Sequence, residues 1–349
     1  TDVAVYEETL KDTPEYQEAQ AYFRNKLSGV ETGDALIKDY KPKEASAESH
    51  TVQMALGEAF SCMEVENFTR QRGISENTLF LGAFAYALGK YTGASESLFC
   101  TVDNGRHTAE LADSVGMFVR TFPLYQTWEE HVSVEQYLQE FQQNFYETME
   151  HDTIFFEELA REYGIASDIL FVYQGEMFQG LSFDGKRYPA KPLPIKEVQA
   201  DISVMVMKGQ EGYEIVLHYR RDLYREETAR GLQKMMLQTL KGMLSCDRLD
   251  EIALVSELDI QRLDSFHGPK VSYDKTKTVV ELFREQAALR PDETAVIYSD
   301  RIYTYAQADE LTDRLASHIS SLGIGAEEVV SVLIPRCEYM ALASLGILK

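Results

Sequence analysis

Three stretches of this chain bring together side chains that chemistry uses. Asp103-Asn104-Gly105-Arg106 sets a carboxylate, an amide and a guanidinium around a glycine, directly after the apolar run Leu98 to Val102. A loop at that place could hold a charge at the end of a sheet. Gly116 through Leu124 reads as an apolar strand interrupted by Arg120 and Thr121. His151 through Glu158 mixes a histidine and carboxylates with Phe155 and Phe156. Histidine and carboxylate move protons near neutral pH, and arginine holds oxygen acceptors in a fixed fork. The same residues suit core and edge packing, and on residue types alone that plainer reading weighs more.

The search for familiar chemical motifs is otherwise negative. The chain has no GxSxG, P-loop, dinucleotide fingerprint or HExxH. None of the seven histidines pairs with another at short spacing. The four cysteines, Cys62, Cys100, Cys246 and Cys337, lie far apart and form no CxxC. That pattern points away from a disulfide framework or a metal site and fits a reducing cytoplasm. A net charge of −23 argues against nucleic acid or an anionic membrane as partner, since both are polyanions. Thr1 through Tyr6 lacks a basic start and an apolar core, so it is no signal peptide. No run of about 18 apolar residues is present to span a membrane. The start at Thr1 and the abrupt end at Gly346-Ile347-Leu348-Lys349 read as cuts.

The elements that must position these residues follow from periodicity. Helices are expected over 14–27, with Tyr16, Ala19, Tyr22, Phe23 and Leu27 on one face, and over 77–91, where the apolar run is nearly continuous and Gly93 closes it. Ser133 and Gln136 form a capping-box pattern ahead of an amphipathic helix through Tyr137, Phe141 and Phe145. Strands are expected over 97–103 and 168–174, and a hairpin pairs Ile202, Val204 and Val206 with Ile215, Leu217 and Tyr219. A long helix follows from about 225 to 244. The pattern changes over 246–277, which lacks a period. Ile252, Leu254, Val255, Leu258 and Leu263 imply that this stretch packs against something. A second alternation follows: a helix near 278–289, strands at 295–298 and 302–305, a helix over 306–321, a strand at 329–334 and a last helix. The whole is α/β, in two parts.

The order of these segments resembles a nonribosomal peptide synthetase: the rear part of a condensation domain, then the start of an adenylation domain. Asn104-Gly105-Arg106, Val115-Gly116-Met117-Phe118-Val119, Thr121 and Pro123-Leu124 look like the family's GR and VGxFVNTxPL segments. Phe156-Glu157-Glu158-Leu159 after His151 looks like its HQDxPFEEL segment, and Ile169 to Gln174 like its LFxVMFxxQ strand. Asp201 matches the aspartate of FDL, and Tyr219 with Leu223-Tyr224 the YxxDLF stretch. Leu282-Phe283, Pro291-Asp292, Tyr303-Thr304-Tyr305 and Arg314-Leu315-Ala316 resemble the adenylation opening, and Leu348-Lys349 would begin its LKAGxAY motif. Three departures stand out: Arg120 replaces the asparagine of VGxFVNT, Asp152, Thr153 and Phe155 replace residues of HQDxP, and the lead-in to the 169–174 strand is reduced.

The resemblance implies a chloramphenicol-acetyltransferase-like condensation subdomain over 1–246, a linker over 247–277 and an incomplete α/β adenylation start over 278–349. It implies aminolysis of one carrier-bound thioester by another, with donor and acceptor carrier proteins and the rest of the synthetase as partners and phosphopantetheine arms as carriers. ATP and magnesium would serve the complete adenylation domain. The family's catalytic HHxxxDG does not occur in this sequence, so the chain alone is expected to be inactive. Arg106 is expected to support the site, since the family's arginine there pairs with the aspartate of HHxxxDG; without it, Arg106 should be re-paired or solvated. Gly105, Gly116, Phe118, Arg120, Thr121, His151 and Asp201 are the expected tunnel or structural positions. An epimerisation or heterocyclisation relative, a degenerate docking scaffold and a coenzyme-A acyltransferase remain as alternatives on the same scaffold.

Overall fold

The computed structural model describes residues 8–30, 36–42, 46, 48–106, 111, 114–166, 168–176, 180–189, 200–209, 212–269 and 271–349. The chain divides into two compact units, Thr1–Asp264 and Ser265–Lys349.

In the first unit, α1 (Pro14–Leu27) starts where the Thr13 hydroxyl accepts from the Tyr16 amide, with Pro14 in the first turn. Its buried residues Tyr16, Ala19, Phe23 and Leu27 recur at three and four, the period of one helix face. Next come β1 (Ser49–Ala55) and α2 (Cys62–Arg72), whose reciprocal Ser61–Glu64 capping box fixes its start. The central helix α3 (Glu76–Thr92) is buried continuously from Thr78 to Gly89, which is why its sequence reads as one apolar run. Phe84 on α3 lies between Phe99 and Phe171 of the sheet, with ring centroids 5.0 and 4.8 Å away.

The chain continues through β2 (Glu96–Asp103), β3 (Arg120–Thr127), α4 (Val134–Glu150), α5 (Phe156–Tyr163), β4 (Ile169–Glu176), the small hairpin β5 (Gly180–Phe183) and β6 (Lys186–Pro189), then β7 (Ile202–Gly209), β8 (Gly212–Arg220) and α6 (Glu226–Ser245). Six strands form one sheet in the order β1-β8-β7-β4-β2-β3. β4 runs parallel to both β2 and β7, and the outer pairings are antiparallel. A row of paired residues, Val52, Leu217, Val204, Phe171, Thr101 and Phe122, crosses all six strands and is buried throughout. In β7–β8, Ile202 faces Tyr219, Val204 faces Leu217 and Val206 faces Ile215, the register that the alternation predicts. Ser133 caps α4 through its hydroxyl, while the Gln136 side chain turns forward to Glu140 instead of back to close the box.

One strand expectation in the first unit is revised. The strand read over 116–124 begins only at Arg120, and 116–119 is irregular. The stretch after α6 contains a 3-10 turn at Leu249–Glu251 and a helix α7 (Glu257–Ser265). Leu249 and Ile252 lie in the first unit's main core.

The second unit consists of α8 (Val279–Leu289), the antiparallel pair β9 (Thr294–Tyr298) and β10 (Arg301–Thr304), α9 (Tyr305–Ser321) and α10 (Tyr339–Leu348). Capping boxes Thr278–Glu281 and Thr304–Gln307 start α8 and α9, and Ser299 turns the hairpin at φ 56°. Residues 329–334, expected as a strand, are not one. A strand needs a lateral partner for its amides and carbonyls, and among the described residues β9 and β10 pair with each other alone. Val329 and Leu333 are consequently exposed.

Candidate functional site

The chain leaves β2 at Asp103, whose carboxylate accepts the Gly105 amide at 2.6 Å. That turn puts Gly105 at φ +66°, in the left-handed region. The carbonyl of Phe118 lies directly over it: a Cβ on Gly105 would sit 1.8 Å from that oxygen. Residue 105 is glycine for two independent reasons, conformation and space.

Arg106 then turns its guanidinium back onto the loop that joins β2 to β3. It donates to the carbonyls of Leu111, Ser114 (2.7 Å) and Gly116 (3.3 Å). The Phe118 ring lies against its face, with the guanidinium carbon 4.5 Å from the ring centroid. Arg106 is thus re-paired, with backbone oxygens and an aromatic face. Gly116 keeps the ring close, since a Cβ there would stand 3.0 Å from the tip of Phe118. On the outer side of this clamp, Val115 and Met117 are almost wholly exposed and Val119 is 46% exposed.

Arg120 opens β3 opposite Asp103, and Thr121 follows opposite Val102. The Arg120 guanidinium donates to the Asp152 carbonyl, lies 3.9 Å from the Asp152 carboxylate and sits over the Phe155 ring at 5.2 Å. This joins the third sequence stretch to the other two. Arg120 thus contacts both Asp152 and Phe155, and all three are positions where the sequence departs from the pattern it resembles. His151 ends α4; its Nδ1–H donates to the Glu147 carbonyl at 2.6 Å, and its ring stacks on Tyr22 of α1 at 4.0 Å and 6°. Because Nδ1 carries that proton, the neutral ring presents Nε2 as its acceptor.

Asp201 stands apart. It lies at the start of β7, whereas Gly105 and Arg106 follow the end of β2, and the parallel pairing through β4 puts those at opposite ends of the sheet. The Asp201 carboxylate accepts from Arg220 at 2.9 Å and pairs with Lys38 at 3.1 Å. Arg220 also grips Asp222, whose pKa that hydrogen bond holds below the carboxylate norm. The network fastens the turn after β8 and has a structural character.

Two polar clusters carry no short sequence motif. At the far end of β4 and β7, Glu76 accepts from Tyr173 (2.5 Å) and Lys208 (2.8 Å), and Lys208 also reaches Glu66 at 2.9 Å. Burial opposes the Glu76 charge, but Lys208 and Tyr173 outweigh it and its pKa falls below the usual value. The buried Tyr213 hydroxyl comes near this carboxylate without reaching hydrogen-bond geometry. The second cluster surrounds Lys26 on α1. These residues come from elements distant in sequence, so no local pattern announces them.

The condensation-domain family model matches residues 1–263, more than half of the chain. The chain belongs to the condensation-domain family. The AMP-binding enzyme model matches 283–349, so the start of an adenylation unit follows. Among curated proteins, tyrocidine synthase 3 of Brevibacillus parabrevis is 27% identical over 100% of this chain and 6% of its own length. Surfactin synthase subunit 1 of Bacillus subtilis (strain 168) is 27% identical over 96% of this chain and 10% of its own length. The chain spans only a small part of these relatives. Among solved structures, the nonribosomal peptide synthetase FmoA3 superposes with a TM-score of 0.70 at 17% identity, covering 99% of this chain and 38% of that one. A four-domain nonribosomal peptide synthetase bound to AMP and glycine gives 0.68 at 17%, covering 95% and 27%. The fold is that of nonribosomal peptide synthetase condensation domains. No helix among the described residues is long and apolar enough to cross a membrane.

Proposed function

We propose that this chain is part of a cytoplasmic nonribosomal peptide synthetase module whose condensation domain joins a carrier-bound acyl or peptidyl thioester to a carrier-bound aminoacyl thioester. In that reaction the amine attacks the thioester carbonyl, a tetrahedral intermediate collapses, the C–S bond breaks and an amide forms. The neighbouring adenylation domain activates an amino acid with ATP and magnesium. The observation that carries this reading is the order of the two family matches, condensation over 1–263 and AMP-binding over 283–349.

Within that reading, the residues of this chain shape and hold; none is assigned the proton-transfer role. Arg106 and Gly105 fix the loop at the end of β2, and Phe118 backs it. The exposed strip of Val115, Met117 and Val119 suits the methylene stretches of a phosphopantetheine arm. Such an arm, when bound, supplies the thioester carbonyl. Arg120 and Asp152 tie the start of β3 to the turn that follows α4.

The test is amide synthesis by the synthetase module that contains this chain, with donor and acceptor carrier proteins loaded and the product read by mass spectrometry. A condensed product from the module, and none from the 349-residue chain alone, is the expected result. A module that binds both carriers and forms no amide would replace this reading with a docking scaffold.

A further inference from the structure

The six-stranded sheet ends in two unlike edges. On the β3 edge, Pro123 has no N–H to offer, and the Asn144 side chain donates to the Tyr125 carbonyl at 2.8 Å. Such features blunt an edge against a further strand. The β1 edge carries neither. It pairs with β8 from Ser49 to Ala55 in unbroken register, without a bulge, a proline or a lysine.

The ladder shows which way the β1 backbone points. The Leu56 amide donates to the Tyr213 carbonyl, the next step of the same register. In an antiparallel ladder, directly bonded pairs alternate with unbonded ones. Val52 and Met54 therefore bond β8, while Thr51, Gln53 and Ala55 point their N–H and C=O groups away from it. β8 agrees: the Arg220 amide donates to the Asp201 carbonyl, so its even-numbered residues serve β7 and its odd-numbered ones serve β1. Thr51, Gln53 and Ala55 are exposed. Among the described residues, no strand and no side chain bonds their outward amides and carbonyls.

We propose that this edge pairs with the same edge of a second copy of the chain, antiparallel about a two-fold axis at Gln53. In that register Gln53 faces Gln53 and Thr51 faces Ala55, each pair exchanging two backbone hydrogen bonds. The strand is complementary to itself in chemistry as well as direction. A carboxamide both donates and accepts, so two Gln53 side chains across the axis satisfy each other. Val52 comes opposite Met54, an apolar pair on the helix-covered face. No charged residue occurs from Thr51 to Ala55, on a chain of net charge −23. Glu48 and Glu58 flank the strand and, with the net charge, oppose the approach of a second copy until salt screens them. One pair of edges buries less than a standard interface, so the association is weak and concentration-dependent.

The experiment is sedimentation velocity on the whole chain from micromolar to millimolar concentration, with amide hydrogen exchange on the same samples. A reversible monomer–dimer equilibrium is expected, about tenfold tighter at about 0.5 M than at about 0.05 M sodium chloride. Exchange protection should grow with concentration over residues 51–55. Gln53→Pro removes both bonds of the central pair and none to β8, and should weaken dimerisation about thirtyfold. Gln53→Glu leaves the backbone intact and sets two carboxylates face to face, and should weaken it about fivefold. Trp128 fluorescence in urea checks that both variants keep the fold. A chain that stays monomeric throughout, including one that binds a foreign strand here, overturns the proposal. So does a dimer protected elsewhere, or one that ignores both substitutions. Neither readout involves condensation chemistry, so the test is independent of the synthetase reading.

Discussion

Gly105→Ala tests whether the loop after β2 is clamped as the geometry implies. Two terms contribute. Alanine at φ +66° costs about 1–2 kcal/mol, because its Cβ crowds the following carbonyl. The added Cβ also stands 1.8 Å from the Phe118 oxygen and 2.8 Å from its carbonyl carbon, far inside contact with backbone that cannot rotate away. Relieving it means lifting Phe118 off the Arg106 guanidinium, and overpacking of this kind costs about 1–3 kcal/mol more. Gly73→Ala supplies the control. Gly73 has φ +65° and nothing within 4 Å of its Cβ position, so it carries the first term alone. Trp128, the single tryptophan, is buried in the first unit's core, and its fluorescence follows that unit through a urea titration. Gly105→Ala should lose about 2–5 kcal/mol and Gly73→Ala about 1–2 kcal/mol. Equal losses would mean that the Phe118 carbonyl is not held over Gly105, and the clamp by Arg106 would fall with it.

Two further outcomes follow from the same fold. Glu76 has a pKa below its unfolded value, so its contribution is complete above that value and disappears as pH falls through the folded pKa. Glu76→Gln should therefore cost about 1–3 kcal/mol at pH 7 and progressively less as pH falls through the folded pKa, read by urea titration across the acid range; a constant cost would remove the ion pair with Lys208 from the account. Gly89→Ala would put a Cβ 2.3 Å from the Trp128 ring and 2.7 Å from the Glu96 carbonyl. It should shift the Trp128 emission and destabilise the first unit by about 1–3 kcal/mol, and an unchanged spectrum would contradict this packing.

What the sequence discloses depends on how much of an element's surroundings is written in its own residues. The β7–β8 hairpin is legible because its period-two pattern is answered across the turn, pair by pair. The central helix is legible because burial on all sides forces an unbroken apolar run. β1 is not, because an edge strand with one deeply buried residue, Val52, leaves little pattern. α2 buries only Val65, Phe68 and Thr69, and its one clear signal, the Ser61–Glu64 box, stands ahead of a mostly polar helix. The segment 329–334 has a strand's pattern and lacks a partner, so pattern alone cannot make it one.

The site divides along the same line. Gly105, Phe118 and Arg120 could be picked out by type, yet their roles depend on backbone atoms, and a carbonyl leaves no mark in a sequence. Arg106 could have met a carboxylate; it meets the carbonyls of Leu111, Ser114 and Gly116. Asp201 is marked only by resemblance, as a tunnel or structural position, and strand direction sets it at the opposite end of the sheet from Gly105 and Arg106. Lys26 shows the limit most plainly. Its environment consists of three neutral oxygens contributed by two helices more than a hundred residues apart. Tyr22, Asn144 and Thr148 are each unremarkable in the sequence, and only the docking of α1 on α4 turns them into a cage. What a sequence leaves unwritten is a partner that is a distant backbone atom or a neutral side chain, and such contacts arise only when the fold assembles.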